Sequence, residues 1–267
     1  MDNIKVLFIS QEITPYLPES KMSLIGRHLP QGIQERGKEI RTFMPKFGCI
    51  NERRNQLHEV IRLSGMNMII NDTDHPLIIK VASIQAARMQ VYFIDNEDYF
   101  QRKQTLKDLD GNYFDDNDER TIFFARGVLE TVKKLRWAPD IIHCHGWFTG
   151  LVPLYIKKAY NEDPLFANSK VIYSVYDEGF DKPLNSAYKD KILYENITPK
   201  DLNTLQEPSY VNLSKLAIEM SDATIVGSET INKDLLSFIK DSKKPYLDFQ
   251  NEETYLDAYS EFYDKIL

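Results

Sequence analysis

The segment His143-Cys144-His145-Gly146-Trp147-Phe148-Thr149-Gly150-Leu151 follows the apolar pair Ile141-Ile142 and leads into Val152-Pro153-Leu154-Tyr155-Ile156. A short apolar run that breaks at glycines before a helical pattern reads as a buried parallel strand feeding a helix. In open α/β sheets, ligands bind in the crevice beyond the carboxyl ends of such strands. Side chains alternate along a strand, which puts His143 and His145 on one face and Cys144 on the other. Two imidazoles and the Trp147 indole are therefore expected to crowd one rim, and that rim is the first candidate for a site.

Before this segment, residues 4–9 form a continuous apolar run, read as a central strand. The strand ends in a loop where Pro15 and Pro18 exclude helix and sheet. Leu24, Ile25, Leu29 and Ile33 place an amphipathic helix over 22–36, stopped by Gly37. A second strand at 40–44 ends at Pro45. Residues 60–63, 66–70, 77–84 and 89–94 are short β-rich pieces punctuated by Asn71-Asp72, read together as an antiparallel insertion. A polar loop over 95–118 turns at Asp110-Gly111-Asn112, and a strong helix follows over 118–136.

Beyond the opening segment the pattern gives a helix at 150–160, a strand at 171–175, a weakly patterned loop at 176–210 with a short helix, a helix at 212–220, a strand at 223–226 and a helix at 229–239. Strands alternating with helices define a doubly wound α/β domain carrying a β-rich insertion. Tyr255, Tyr259, Phe262, Tyr263 and Ile266 share one helical face, expected to dock on the domain's own core. The division expected is a domain over 1–240 with a tail and helix over 241–267 packed on it.

The chain has 267 residues, 42% hydrophobic and 27% charged, which is ordinary for a soluble globular protein. A net charge of −7 argues against nucleic acid and anionic membrane surfaces and favours a neutral polar ligand. Cys49 and Cys144 lie in or beside apolar segments and are read as free buried thiols. The first ten residues hold too short an apolar run for a signal peptide, no run approaches a membrane span, and the cytoplasm is the expected compartment.

For His143 and His145 two readings stand: a packed, hydrogen-bonded pair, or ligand contacts. A metal site is not expected, because His28, His58 and His75 lie in unrelated segments and supply no further ligand. Trp147 is either a platform for a sugar ring or a filler of the strand–helix junction. No Gly-x-Gly-x-x-Gly follows the first strand and no Gly-x-Ser-x-Gly elbow occurs, so dinucleotide and serine-hydrolase chemistry have no support and no cofactor is expected.

The segments at 5–16, Met44-Pro45-Lys46-Phe47-Gly48, 91–100, Asn117-Asp118-Glu119-Arg120 and 137–151 together resemble, in order and spacing, the bacterial glycogen and starch synthases that use ADP-glucose. The resemblance covers the N-terminal half of that family, residues 1 to about 240. It implies a single Rossmann-like domain equivalent to the N-terminal half of a GT-B glycosyltransferase, the half that holds the glucan acceptor, without the donor domain. The substrate contacts it implies are Trp147, His145, His143, Thr149, Glu12 and Tyr16.

Departures inside the shared half bear on activity. The family's Lys-Thr-Gly-Gly-Leu segment, whose lysine and glycines let phosphates approach, aligns with Pro18-Glu19-Ser20-Lys21-Met22. Its His-Ala-His-Asp-Trp-His motif reads His143-Cys144-His145-Gly146-Trp147-Phe148, which loses an aspartate and a histidine. The family's loop tyrosine falls at Leu106, and its His-Asn pair at Tyr176-Asp177. Groups that act as a unit are lost together, so no catalytic residue is assigned. The expectation is an α-1,4-glucan-binding domain not competent alone for transfer from ADP-glucose, which either binds acceptor chains or completes a transferase with a second polypeptide that supplies a donor domain. The alternative is a catalytically dead member that binds a protein partner through Phe148, Met22 and the aromatic helix.

Overall fold

A computed structural model describes residues 3–267. The strands are β1 (Lys5–Ser10), β2 (Glu39–Pro45), β3 (His58–Glu59), β4 (Met66–Ile70), β5 (Thr73–Ile84), β6 (Met89–Asp95), β7 (Ile141–His145), β8 (Lys170–Val175), β9 (Ala223–Val226) and β10 (Tyr246–Leu247). Helices α1 (Lys21–Glu35), α2 (Glu97–Phe100), α3 (Asn117–Leu135), α4 (Val152–Leu154), α5 (Tyr188–Ile192), α6 (Tyr210–Met220), α7 (Lys233–Asp241) and α8 (Tyr255–Ile266) connect and cover them. The sheet runs β10-β9-β8-β7-β1-β2-β6-β5-β3, with β4 paired to β5. From β10 to β6 every pairing is parallel, and the antiparallel pairings are those of β5 with β6, β3 and β4.

The chain leaves β1 toward β2 and β6 on one side, then returns to the other side of β1 as β7. That reversal is a topological switch point, where a doubly wound sheet opens a crevice. The fold is Rossmann-like, as the strand and helix alternation implies. One expectation needs correction: β6 lies parallel to β2 in the main sheet, so the insertion comprises only β3 to β5. Its run Val91 to Asp95 is buried on both faces, the mark of an interior strand and not of a half-exposed hairpin. Residues 60–63 form a turn, closed by the Leu63 N–H donating to Val60 O, with Ile61 81% exposed.

Strand alternation divides the core in two. Leu7, Ile9 and Cys144 join the aromatic cluster under α3 and α6, while Val6, Phe8, Ile141, Ile172 and Ile225 face α1 and α8. Helix α1 begins at Ser20, whose hydroxyl accepts the Ser23 N–H while Ser23 Oγ accepts the Ser20 N–H, a reciprocal cap. Across 150–160 the expected single helix is broken into a 3₁₀ turn at Trp147–Thr149, α4, and a π-helical turn at Tyr155–Ala159.

Helix α8 buries Tyr255, Tyr259, Phe262 and Tyr263 on the β1–β9 face. The Tyr263 hydroxyl is hydrogen-bonded to His143 Nδ1 at 2.6 Å, and Lys38 Nζ donates to Ser260 Oγ at 3.1 Å and pairs with Asp264. Tyr263→Phe leaves His143 Nδ1 buried without a partner, so urea unfolding should show a loss of about 1–3 kcal/mol. Phe262→Tyr, which keeps every such bond, should cost less.

Candidate functional site

Beyond the carboxyl ends of β1, β7 and β8 three backbone segments meet around two polar side chains. The Gln11 N–H donates to His145 O at 3.1 Å, Gln11 Oε1 accepts the Phe148 N–H at 3.0 Å, and Gln11 Nε2 donates to Glu178 Oε2 at 3.2 Å. Glu178 Oε1 accepts the Trp147 N–H at 2.7 Å. The amides exposed where β7 breaks are thus satisfied by the protein's own carboxylate and carboxamide. Gly146 makes the break, with φ +87 and ψ 158, a region essentially confined to glycine. A Cβ there would lie 2.8 Å from both Gln11 Oε1 and Met22 Sδ, so the aspartate side chain of the resembling family has no room.

A crevice of about 350 Å³ opens above this tie, with Glu12, Lys21, Tyr176, Asp177, Glu178 and Glu229 in its walls. Burial, reinforced by the charge of Glu12, pushes the Glu178 carboxyl up to about 8 against the opposing pull of the Trp147 N–H and Gln11. Glu12, Asp177 and Glu229 against Lys21 leave the crevice acidic even with Glu178 protonated. Glu12 Oε2 accepts a hydrogen bond from Ser20 Oγ at 2.7 Å, so the start of α1 is engaged by side chains of the protein itself.

A second, wider cavity of about 750 Å³ adjoins the first and shares Glu12 and Ser20 with it. Tyr16, Leu17, Leu106 and Tyr113 give it apolar faces, and Lys103 and Lys107 balance Glu12 and Glu19. Tyr16 stands edge-on to Phe93 at 4.9 Å, and burial pushes its hydroxyl up to about 12. That hydroxyl has no partner among the described residues. Arg120, fully buried and ringed by Phe47, Phe100, Phe114 and Phe148, donates to Tyr99 O and Thr105 O and so holds the loop that forms one wall.

Of the residues expected from sequence, Glu12 and Tyr16 line this groove, and the other four lie inside the protein. His143 is fully buried with both ring nitrogens engaged, Nδ1 by Tyr263 and Nε2 by Ser174 Oγ at 2.7 Å. Burial first and the adjacent His145 ring second hold its pKa well below the ordinary histidine value, so it is a neutral structural group. His145 is pushed down to about 3 by burial, with Nδ1 bonded to the Tyr176 hydroxyl at 2.8 Å. Thr149 Oγ1 donates to Gly146 O at 2.8 Å.

Trp147 is 1% exposed and meets Phe180 at 4.8 Å and Phe148 at 5.6 Å, both edge-on. Of the two readings of Trp147, its burial fits the filler of the strand–helix junction. The glycine turn carries it to the α3 side of the sheet, away from the two imidazoles. Phe148 at 0% and Met22 at 5% exposure are also internal, as are the α8 aromatics Tyr255, Tyr259, Phe262 and Tyr263.

Cys144 is buried as expected, but Cys49 is exposed on the groove, because the turn after Pro45 points it outward. Glu178 escaped sequence reading because it sits in an unpatterned loop; its one signal was an acid close behind a strand end. Among the described residues no three His, Cys, Asp or Glu side chains are grouped to hold a metal ion, and no helix is long and apolar enough to cross a membrane.

A largely parallel, doubly wound sheet with a switch-point crevice is a Rossmann-like fold. The same architecture occurs in the catalytic domain of starch synthase IV from Arabidopsis thaliana, solved bound to ADP and acarbose, with a TM-score of 0.74 at 18% identity over 94% of this chain and 52% of that one. The sequence model described as the starch synthase catalytic domain matches residues 5–244, and the chain belongs to that family. It is 36% identical over 239 residues to the glycogen synthase of Chlorobaculum tepidum, covering 88% of this chain and 48% of the relative. To the glycogen synthase of Chlorobium luteolum it is 34% identical over 229 residues, 84% of this chain and 45% of the relative. The chain thus spans about half the length of the curated relatives it matches.

Two outcomes test this geometry. Gly146→Asp should destabilise the protein by about 1–3 kcal/mol from backbone strain, with Met22→Ala restoring only the steric part, as read by urea unfolding. For Glu178, the folded state holds a proton that the unfolded chain releases at the ordinary carboxylate value, so stability falls as pH rises from there to about 8. Glu178→Gln removes this titration; melting temperatures between pH 5 and pH 9 should fall less in the variant than in the parent.

Proposed function

We propose that this chain holds the α-1,4-glucan acceptor of a glycogen synthase-type reaction and does not by itself transfer glucose from ADP-glucose. The reading is carried by the contrast between the two adjoining cavities. The wider groove, with two acids against two lysines and tyrosine and leucine faces, suits a neutral sugar chain. The crevice beside it, where Glu12, Asp177 and Glu229 outnumber Lys21, repels a diphosphate where the resembling family receives one.

Three further features support the second half of the proposal. The backbone amides of Trp147 and Phe148 are already taken by Glu178 and Gln11. The first-turn amide of Ser23 is taken by Ser20. Phe148 stands, buried and apolar, where the family carries a histidine that touches the transferred sugar. Glucosyl transfer then depends on donor-holding groups outside this half. Within the groove, Glu12 accepts sugar hydroxyls, and Tyr16, with its hydroxyl buried, contributes only apolar wall.

Native gels with embedded glycogen test the binding half. Retardation is expected, and it should weaken in Glu12→Gln and in the double variant Lys103→Ala, Leu106→Ala; mobility unaffected by glycogen would sink the proposal. Labelled ADP-glucose with glycogen tests the other half. Incorporation should stay at background, and turnover that Glu12→Ala abolishes would refute the incompetence of the isolated chain.

A further inference from the structure

One buried histidine joins the wall of the wider groove to the β4–β5 hairpin. His75, on β5 and 5% exposed, has Nδ1 2.9 Å from Asp98 Oδ2 and Nε2 2.9 Å from the Tyr99 hydroxyl, both partners on α2. Tyr99 has one proton to give, and its hydroxyl donates it to Glu119 Oε2 at 2.9 Å. Burial first and that hydrogen bond second push the Tyr99 hydroxyl above the ordinary tyrosine value, so the proton stays on it. Burial opposes the charge on Glu119, but hydrogen bonds from Lys191 and Tyr99 prevail and hold its carboxyl below the ordinary glutamate value. Toward His75 the Tyr99 oxygen is therefore an acceptor, and so is the Asp98 carboxylate. Both ring nitrogens are left as donors.

We infer that His75 is a doubly protonated imidazolium latching α2 to the β4–β5 hairpin, and that loss of one of its protons releases the groove wall that follows α2. This rests on the acceptor reading above and adds a pH-dependent control of the same groove.

The surroundings of the ring define the switch. Met68 lies opposite on β4, Phe123 of α3 stands edge-on at 6.5 Å, and Asp74, next in the chain, is exposed and accepts from Asn67 Nδ2. Lys191 of α5 acts through Glu119, which it meets at 2.8 Å while also pairing with Asp118. Among the described residues Asp98 is the ring's only ion-pair partner, and its side chain is 62% exposed, so the Nδ1 proton has a path to water. Once that proton leaves, a bare nitrogen lone pair faces a carboxylate at 2.9 Å, and attraction becomes repulsion.

The release reaches the groove through a hinge and a tie. Asn96 is the hinge, donating from Nδ2 to Pro76 O at 2.9 Å while its Oδ1 caps the N–H groups of Asp98 and Tyr99. Past α2 the chain runs into residues 103–107, which line the groove. Arg120 is the tie, donating at 2.8 Å to both Tyr99 O and Thr105 O, so a shift of Tyr99 is carried to the wall.

The latch is tested on the full chain and on Asp98→Asn, an exposed substitution whose amide can accept from Nδ1–H or donate to bare Nδ1 and so holds the ring in either state. Two-bond ¹H–¹⁵N spectra of the parent at neutral pH should show both His75 nitrogens protonated, with signals assigned by their loss in His75→Gln; a neutral tautomer there overturns the inference. Trypsin cleavage after Arg102, Lys103 or Lys107, identified by mass, should rise between pH 6.5 and pH 9 by about tenfold relative to Asp98→Asn at the same pH, the yield of one charge-assisted hydrogen bond. Equal cleavage of parent and variant across that range overturns the latch. Maltoheptaose affinity, read by titration calorimetry, should fall further in the parent than in the variant, and an equal fall in both overturns control of the groove. Failure of maltoheptaose to bind at either pH overturns the acceptor reading, while the spectra and the cleavage still decide the latch.

Discussion

Everything at the carboxyl edge of the sheet depends on satisfying the amides where β7 breaks. A parallel strand that ends inside the protein leaves backbone N–H groups with no strand to receive them, and leaving them unmet is costly. Here Gln11 and Glu178 receive them, and in doing so they tie the loops after β1, β7 and β8 into one piece. Gly146 is the condition for that tie, since its backbone conformation brings the two amides within reach and its missing side chain makes room for Gln11 and Met22.

Closing the edge from within has consequences on both faces. Turning the chain at Gly146 drives Trp147 and Phe148 into the aromatic cluster under α3, where burial of large rings contributes most to the core. On the opposite face His143 and His145 become part of the packing against α8, bonded to Tyr263, Ser174 and Tyr176. His143, His145, Trp147 and Phe148 are thus buried and packed or bonded inside the protein. What stays open is the groove between the β1 loop and the loop held by Arg120, where charge is balanced and aromatic surface is available.

Much of the fold was legible in sequence because hydrophobic periodicity reports burial directly. The runs that became β1, β7, β8 and β9 are too short and too continuously apolar for a helix, and their alternation with amphipathic segments prescribes a doubly wound sheet. The aromatic spacing of α8 likewise told which face would be covered. Reading β6 with the insertion failed for a physical reason: β-branched content marks a strand but says nothing about which neighbour it pairs with, and β6 pairs antiparallel with β5 on one edge and parallel with β2 on the other. The site was less legible. Glu12 and Tyr16 could be placed beside a strand end, but the exposure of Trp147 and the role of Glu178 could not.

The sequence by itself determined the α/β alternation, the family and the departures at residues 18–22, 146 and 148, because these rest on local periodicity and on motif spacing. Only the tertiary structure decided which of the motif residues face a ligand. Alternation along β7 predicts opposite faces correctly, yet one glycine turn later the indole leaves the histidines' side, and α8, more than a hundred residues away, supplies the hydroxyl bonded to His143 Nδ1. Exposure and charge at a strand end are properties of everything packed around it, and those neighbours come from distant parts of the chain.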